Sequence, residues 1–390
     1  MRKPIDVNST SSIFSAIALG TLGVLSFIIQ PALVQGYVTV LSVSEPTALN
    51  LAGIEMLGVA ISAIALALPG VTLDWGKLVA PAIGLAIAGN ALSALLLGGS
   101  GIWIARLLAG LGHGAIISLS FSFVGLTRNV ERNIALYLTS LLTYGAFGIW
   151  LLPSFLDRFG LEGLFFFFCI LLLMGLATVT HVPHAVHARM EVPQSARDLP
   201  RGQVLIALLG VLSYNLAQGI AWAVLFLVGI NAGLSEQPVA DDLFVSQVLA
   251  IFGALASVFL AGTIARGYAL AVGILGGAAC IALLLEPPTA LVFLISVCGF
   301  NFLWNFVLPF ILAAVGEFDT KGSMVGKAVA MQMLGLGSGP FIAGWLTDGS
   351  SYFLVELACI AFFLASFMLL FVPMRHQKRM LESSRQASSS

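Results

Sequence analysis

Apolar runs long enough to cross a membrane recur twelve times along this chain. A helix needs about 20 apolar residues to span the hydrocarbon core. Hydrophobic residues make up 59% of the 390 residues and charged residues only 9%, whereas a soluble domain carries roughly 25% charged residues. The sequence therefore predicts an all-α integral membrane protein. The runs, numbered span 1 to span 12, lie at roughly 13–37, 47–69, 78–98, 101–125, 133–155, 161–181, 204–232, 243–264, 267–285, 289–315, 325–346 and 352–373.

The basic residues test this number of spans, because Lys and Arg gather in the cytoplasmic connections of membrane proteins. With twelve spans, the predicted outer loops hold only Arg158, and Arg106 lies inside a span. We therefore expect both termini in the cytoplasm of a bacterial-type inner membrane, with span 1 retained rather than cleaved as a signal peptide. All the other basic residues fall in predicted cytoplasmic segments: Arg2, Lys3, Lys77, Arg128, Arg132, Arg189, Arg197, Arg201, Arg266, Lys321, Lys327, Arg375, Lys378, Arg379 and Arg385.

The spacing of the spans repeats halfway along the chain. Gly148 and Asp157 on span 5 recur as Gly339 and Asp348 on span 11, a shift of 191 residues (339 − 148 = 191). The same shift brings the starts of spans 1–6 close to those of spans 7–12. Such a repeat is typical of secondary transporters, whose solute site lies between the two halves. We therefore predict one six-helix bundle at 1–181, a cytoplasmic linker at 182–203, a second bundle at 204–373 and a solvated tail at 374–390.

Span 4 carries a glycine motif, Arg106-Leu107-Leu108-Ala109-Gly110-Leu111-Gly112. This stretch resembles the R-x-x-x-G-x-G motif of the major facilitator superfamily. The order of twelve spans in two halves is similar to that family along the whole chain. The resemblance implies two pseudo-symmetric six-helix bundles and a transporter that works by alternating access.

Two further family motifs are present in altered form. After span 2, Gly70, Asp74, Gly76 and Lys77 resemble G-x-x-x-D-[RK]-x-G-[RK], although one position is missing and Trp75 replaces the basic residue. The resemblance implies a gating role for Asp74 and Lys77. The antiporter motif G-P-x-x-G-G is incomplete on span 5, and a Gly-Pro pair occurs on span 11 instead, at 339–340. This departure disfavours drug/proton antiport.

Three ionisable residues lie within the predicted spans at depths that permit contact. Glu55 lies roughly 12 Å and Arg106 roughly 8 Å from the same face of the membrane, by the rise of an α-helix. His113 follows Arg106 by two helical turns on nearly the same face. Opposite charge lowers the pKa of a carboxyl group and burial raises it, so Glu55 could load and release a proton with Arg106 and His113. Glu55 could also form a static pair or lie at the lipid interface, and His113 could be a neutral hydrogen-bonded residue.

Polar side chains concentrate on spans 1, 4, 7 and 10, which line the central cavity in the resembling family. In that family spans 3, 6, 9 and 12 face outward, and here these spans carry only Asn90 and the edge residue Glu356 among comparably polar groups. The candidates for contact with a solute, in addition to His113, are Gln30, Tyr214, Gln218, Trp222, Asn301 and Asn305. The alternative is that these amides join helices through hydrogen bonds of about 1 kcal/mol each.

Several function classes lack their sequence motifs. There is no phosphate-binding loop, no metalloprotease or serine-hydrolase motif and no basic face for nucleic acid. The four cysteines lie singly in apolar runs, so no metal or redox pair is expected. We expect no enzyme activity, no cofactor and no bound metal.

Secondary active transport of a small organic solute is therefore the predicted function, with proton-coupled uptake by a monomer. The charge pattern suits a solute that is neutral or carries one negative charge to meet Arg106. Three alternatives stay open. They are efflux of amphipathic compounds, a non-transporting membrane receptor or assembly partner, and a lipid-handling protein.

Overall fold

The computed structural model describes residues 5–67, 74–183, 198–319 and 324–389, and the regular structure of these segments is helical. Twelve α-helices and one short 3₁₀ helix follow one another along the chain. Their bounds are Thr10–Gly23 and Gln30–Leu41 (span 1), Glu45–Ala67 (span 2), Trp75–Leu95 (span 3), Gly101–Val124 (span 4), Val130–Gly175 with the 3₁₀ helix Leu176–His181 (spans 5 and 6), Arg201–Asn231 (span 7), Glu236–Leu260 (span 8), Arg266–Ala282 (span 9), Ala290–Gly316 (span 10), Met324–Leu346 (span 11) and Phe353–Ser389 (span 12).

Helix length and composition agree with twelve crossings. Within the described ranges, nine helices are long and apolar enough to cross a membrane, and one of them carries both span 5 and span 6. Span 9 and the first piece of span 1 are shorter apolar helices. The all-α, twelve-span fold is thus confirmed, and the chain is a multi-pass membrane protein.

Spans 5 and 6 are joined more tightly than the sequence predicts. Instead of a loop near 156–160, a helical stretch extends from Val130 to Gly175 in which only Gly160 has non-helical backbone angles. The chain turns inside it at Gly160, whose φ of 61° lies in the left-handed region that glycine adopts without steric cost. A turn of one residue therefore replaces the expected loop.

The two ends of the bundle hold different connections. The "terminal face" is the end at which span 1 begins and span 12 emerges. The "far face" is the opposite end, and it holds the connections at 42–44, 96–100, 232–235, 283–289 and 347–352.

Span 1 is broken, although the sequence predicts one continuous helix at 13–37. Its first piece ends at Gly23, and a second piece starts at Gln30 with Pro31 in its first turn. Proline has no backbone N–H and cannot close the hydrogen bond to the carbonyl four residues earlier. The break therefore leaves the Phe27 carbonyl without its usual helical donor at the middle of the bundle.

The predicted tail at 374–390 begins as a continuation of span 12. The helix of span 12 continues past Pro373 to Ser389. Within it, the buried amide of Gln377 donates to the carbonyl and the carboxylate of Glu317 at the end of span 10. The first turns beyond residue 373 therefore pack on the bundle, because Gln377 has a partner there. Of the predicted linker 182–203, residues 184–197 lie outside the described ranges, and span 7 begins at Arg201.

The two halves show the repeat as matching contacts. On span 5, Gly148 lies directly against the Ile29 side chain of span 1, and on span 11, Gly339 lies against the backbone of Ile220 on span 7. Each residue of the second pair is 191 positions after its counterpart. The halves meet where span 2 packs on span 11 and span 5 on span 8. The repeat relates span 2 to span 8 and span 5 to span 11, so the two contacts are equivalent. This is the geometry of two bundles related by a pseudo-two-fold axis.

Candidate functional site

The glycines of span 4 allow it to pack unusually closely on its neighbours. A Cβ at Gly110 would overlap the carbonyl oxygen of Glu55 on span 2, and one at Gly112 would overlap the backbone of Ala86 on span 3. Glycine permits this approach because it has no side chain. The motif recognised in the sequence therefore has a physical role: it brings Arg106, one turn away on the same helix, within reach of both neighbouring spans.

Arg106 is the centre of a buried hydrogen-bond network in the first half. Its side chain is fully buried and forms an ion pair with Glu55, which is also buried. The guanidinium has further neutral partners on spans 1, 3 and 6. These are Asn90 Oδ1 at 3.0 Å, Ser93 Oγ at 3.3 Å, Ser26 Oγ at 3.1 Å and the ring centroid of Phe165 at 4.7 Å. One cation thus joins five spans.

His113 completes the network on the other side of the carboxylate. Its Nδ1 lies 3.4 Å from Glu55 Oε1, and its Nε2 lies 3.4 Å from Asn90 Nδ2. The Asn90 amide donates to the Ala86 carbonyl and presents its second N–H to Nε2. This order of donors places the ring proton on Nδ1, facing Glu55. The structure therefore brings Glu55, Arg106 and His113 together, as their depths in the sequence predict.

The contact between Trp222 and Phe27 joins the two halves at the break in span 1. Trp222 Nε1 donates to the Phe27 carbonyl at 3.1 Å. This is the carbonyl that Pro31 leaves without its helical donor, and its remaining backbone partner is the N–H of Gln30 at 3.2 Å. The Trp222 ring also packs edge-on against Trp304 of span 10. A side chain of the second half thus satisfies a backbone group of the first.

The remaining predicted solute residues are buried but point to different neighbours. Tyr214 packs against Phe363 of span 12 and accepts a hydrogen bond from Gln218. Asn301 donates to Ser246 of span 8 at 2.9 Å, and Asn305 is partly buried and donates to the Asn301 carbonyl. Tyr214 and Asn301 therefore have structural partners within the second half.

Other buried amides lack a partner for one polar atom in the described part of the chain. These atoms are Gln30 Nε2, Asn215 Oδ1, Gln218 Oε1 and Gln247 Oε1. A buried polar atom without a hydrogen bond costs about 1–3 kcal/mol, so these amides are suited to a ligand that supplies the missing bond. Gln247 is not predicted from the sequence, because span 8 is not one of the cavity-lining spans of the resembling family. Its signal was a glutamine within an apolar run.

Ionisable side chains occupy these central positions in one half only. The positions 191 residues after Glu55, Arg106 and His113 hold Ser246, Val297 and Trp304. The first half therefore has a charged centre where the second has an amide–hydroxyl and aromatic centre. This asymmetry separates a group that can bind a proton from groups that can bind an uncharged solute.

The predicted gating residues lie at the terminal face. Asp74 caps span 3 by accepting from the Lys77 backbone N–H at 3.3 Å, and its other oxygen pairs with Lys77 Nζ at 3.1 Å. Lys77 is exposed. The rest of that motif, residues 70–73, lies outside the described ranges.

Five hydrogen bonds between the halves lie at the midplane or toward the far face. One is the midplane bond of Trp222, and the other four involve the first two turns of span 8 or the start of span 2. Their donors and acceptors are Gln35 to Glu236, Trp150 to Asp241, Gln237 to the Trp150 carbonyl, and Tyr352 to Glu45. In agreement, residues 29–37 of span 1 and 217–229 of span 7 are buried on all sides. The far face is closed.

Comparison with known proteins shows a shared fold without sequence similarity. The sequence matches no family model, and no curated protein matches it. Among solved structures, a mutant form of the nucleoside transporter NupG is similar with a TM-score of 0.70 at 13% identity, covering 93% of this chain and 99% of that one. A D-xylose-proton symporter has a TM-score of 0.69 at 18% identity, covering 92% and 96%. The chain therefore shares the fold of these two transporters.

Proposed function

We propose, from this fold and from the buried pair Glu55–Arg106, that the chain is a secondary transporter of a small uncharged polar solute, driven by protons. The pair is the observation that carries the proposal. Charged side chains inside a membrane are costly and mark functional sites by default. A buried ion pair is also weak evidence for stability alone, because desolvation offsets the attraction between its members.

Proton binding would act on Glu55. When its carboxylate takes up a proton, the ion pair with Arg106 is lost and the first half gains one positive charge. Arg106 keeps its bonds to Asn90, Ser93 and Ser26. The guanidinium thus has neutral partners ready for the protonated state, and the cluster can alternate between two charge states without leaving the cation unpaired.

His113 would deliver or remove that proton. Its Nδ1–H faces the carboxylate at 3.4 Å, and an imidazole can take up a proton on one ring nitrogen and release one from the other. Transfer from Nδ1 to Glu55 leaves the ring neutral only if Nε2 already holds a proton. The relay therefore requires Nε2 to be protonated first, which breaks its contact with Asn90.

The solute would bind between the halves near Trp222. Gln30, Gln218 and Gln247 offer unpartnered amide atoms, and the two tryptophans offer ring faces and edges. Arg106 is already paired with Glu55, so the site favours a neutral solute over an anion. The two similar structures are those of a nucleoside transporter and a D-xylose-proton symporter. Nucleosides and D-xylose are uncharged and rich in hydroxyl groups.

The distribution of basic residues supports an assignment of the two faces. We assign the terminal face to the cytoplasm of a bacterial-type inner membrane, with both termini on that side and with Asp74 and Lys77 at the inner gate. The far face is then outside. The closed far face corresponds to a state that does not admit solute from outside. To open this face, the two halves must separate where span 2 packs on span 11 and where span 5 packs on span 8. The working unit is the monomer.

Solute-dependent proton movement tests this proposal. Purified protein is reconstituted in liposomes that hold a pH-sensitive dye, and pentoses, hexoses, polyols and nucleosides are added one at a time without a pH gradient. We expect at least one of them to move protons in the same direction as itself. Proton movement in the opposite direction, in response to cationic amphipathic compounds alone, would support efflux. Solute binding without any flux would support the receptor alternative.

A further inference from the structure

We propose that Glu45 and Glu236 are paired latches that hold the far face closed through hydrogen bonds to Tyr352 and Gln35. This inference rests on the proposed alternating access, but it assigns residues that neither the gate at Asp74 nor the proton site involves. The two glutamates are the first residues of spans 2 and 8. They are also repeat counterparts, since 236 − 45 = 191.

The first latch joins span 8 to span 1. Gln35 Nε2 donates to Glu236 Oε1 at 2.8 Å, and Gln35 is buried while Glu236 is partly buried. A cavity of about 250 Å³ lies against this bond and is lined in part by Thr39, Asp157 and Phe226. Gln35 and Glu236 both line this cavity as well, so the latch borders a recess on the far face.

The second latch joins span 2 to the loop before span 12. The Tyr352 hydroxyl donates to Glu45 Oε2, and Tyr352 is buried. Burial and the neighbouring carboxylate raise the pKa of Tyr352 above its ordinary value, so the hydroxyl keeps its proton and stays a donor. The packing of Gly344 against the backbone of Pro46 continues this contact inward along spans 11 and 2.

The placement of the two carboxylates suits bonds that must open. Each is at the first turn of its helix, where the helix dipole stabilises a negative charge. Each is only partly buried, so water can solvate it once its partner leaves. The bonds lie on opposite sides of the pseudo-two-fold axis and both cross between the halves. A single rocking movement therefore breaks both at little desolvation cost.

Distance measurements between spin labels test the latches without any solute. Labels at Ser100→Cys and Ser235→Cys, both exposed in far-face loops of opposite halves, report far-face opening in lipid nanodiscs. A second pair at Arg128→Cys and Arg201→Cys reports the terminal face. The four native cysteines are replaced in all samples.

The latch variants are Tyr352→Phe, which removes one hydroxyl, and Glu236→Ala. Each is expected to raise the ratio of long to short far-face distances about tenfold, the effect of losing one hydrogen bond to a charged group. The double variant should exceed either single variant. Ser350→Ala is the matched control, because Ser350 bonds Asp348 within its own loop, and it should leave the distances unchanged.

Unchanged far-face distances in the folded double variant would overturn the latches. Thermal unfolding confirms folding in each sample, and Gln35→Leu, which removes the donor of the same bond, replaces Glu236→Ala if the alanine variant unfolds. The readout needs no transport. If the far face opens in the variants but no solute is transported, the proposed function is refuted and the latches stand. If solute is transported but the far-face distances do not change, the latches are refuted and the proposed function stands.

Discussion

Gly110 on span 4 lies directly against the backbone carbonyl of Glu55 on span 2, with no room for a side chain between them. Glu55 therefore has two contacts with span 4: its carboxylate pairs with Arg106, and its backbone carbonyl packs against Gly110. The position of the cation and the packing of the helices are therefore fixed together. Altering one is expected to disturb the other.

Gly110→Ala should destabilise the protein by about 1–3 kcal/mol, because the added methyl group forces spans 2 and 4 apart. Thermal unfolding in detergent measures the loss. The control is Gly84→Ala on span 3, where an added Cβ would meet no atom within 4 Å and where alanine is the better helix former. Equal melting temperatures for the two variants would show that the contact between spans 2 and 4 is loose.

Arg106→Leu should cost about 3–5 kcal/mol, because it leaves the Glu55 carboxylate buried without a partner. Adding Glu55→Leu should restore much of this loss, since no uncompensated charge then remains. Unfolding of the two single variants and the double variant gives the coupling between the residues. Strictly additive losses would mean that the two side chains do not interact, and Arg158→Leu at the exposed far face controls for the removal of a positive charge.

Gln247→Leu should weaken solute binding without destabilising the protein. The buried Gln247 Oε1 has no hydrogen-bond partner among the described residues, so an apolar side chain of similar size removes an unsatisfied group. We expect a higher KM for transport together with an equal or higher melting temperature. The control is Gln377→Leu, which loses two described hydrogen bonds to Glu317 and should lower the melting temperature while leaving KM unchanged. A lower melting temperature for Gln247→Leu would show a purely structural role.

Trp222→Phe should raise KM by about tenfold. Phenylalanine keeps an aromatic ring but loses the hydrogen bond to the Phe27 carbonyl, which joins the two halves near the midplane. Initial rates of uptake over a range of solute concentrations give this value. Trp345→Phe is the matched control on span 11, since that side chain is 85% exposed. If both substitutions have the same effect, the bond at the break in span 1 has no part in solute binding.

The sequence was sufficient for the number of spans, the repeat and the meeting of Glu55 with Arg106. These features follow from apolar length, from spacing and from depth, which are properties of single helices. The sequence also contained the relation between Glu45 and Glu236, since the two carboxylates recur at the same shift as Gly148 and Gly339. Applying the repeat to every polar residue would have selected them.

Contacts that depend on the rotation of a helix could not be predicted in the same way. Asn90 belongs to span 3, which was expected to face outward, but its amide turns inward to Arg106 and His113. The break in span 1 was also missed, because Pro31 alone does not reveal whether a partner such as Trp222 will satisfy the freed carbonyl. Both depend on which side chain of a distant span lies opposite.

The central claim is that Glu55 couples transport to protons. It is tested most directly by measuring two activities of Glu55→Gln: accumulation of solute driven by a pH gradient, and counterflow exchange. In proteoliposomes with an imposed pH gradient, and with whichever solute moves protons in the wild type, the variant should lose accumulation but retain counterflow exchange, because glutamine keeps the shape but cannot be ionised. Glu356→Gln, a buried carboxylate at the start of span 12, should keep both activities. Accumulation by Glu55→Gln equal to that of the wild type would contradict proton coupling at this residue.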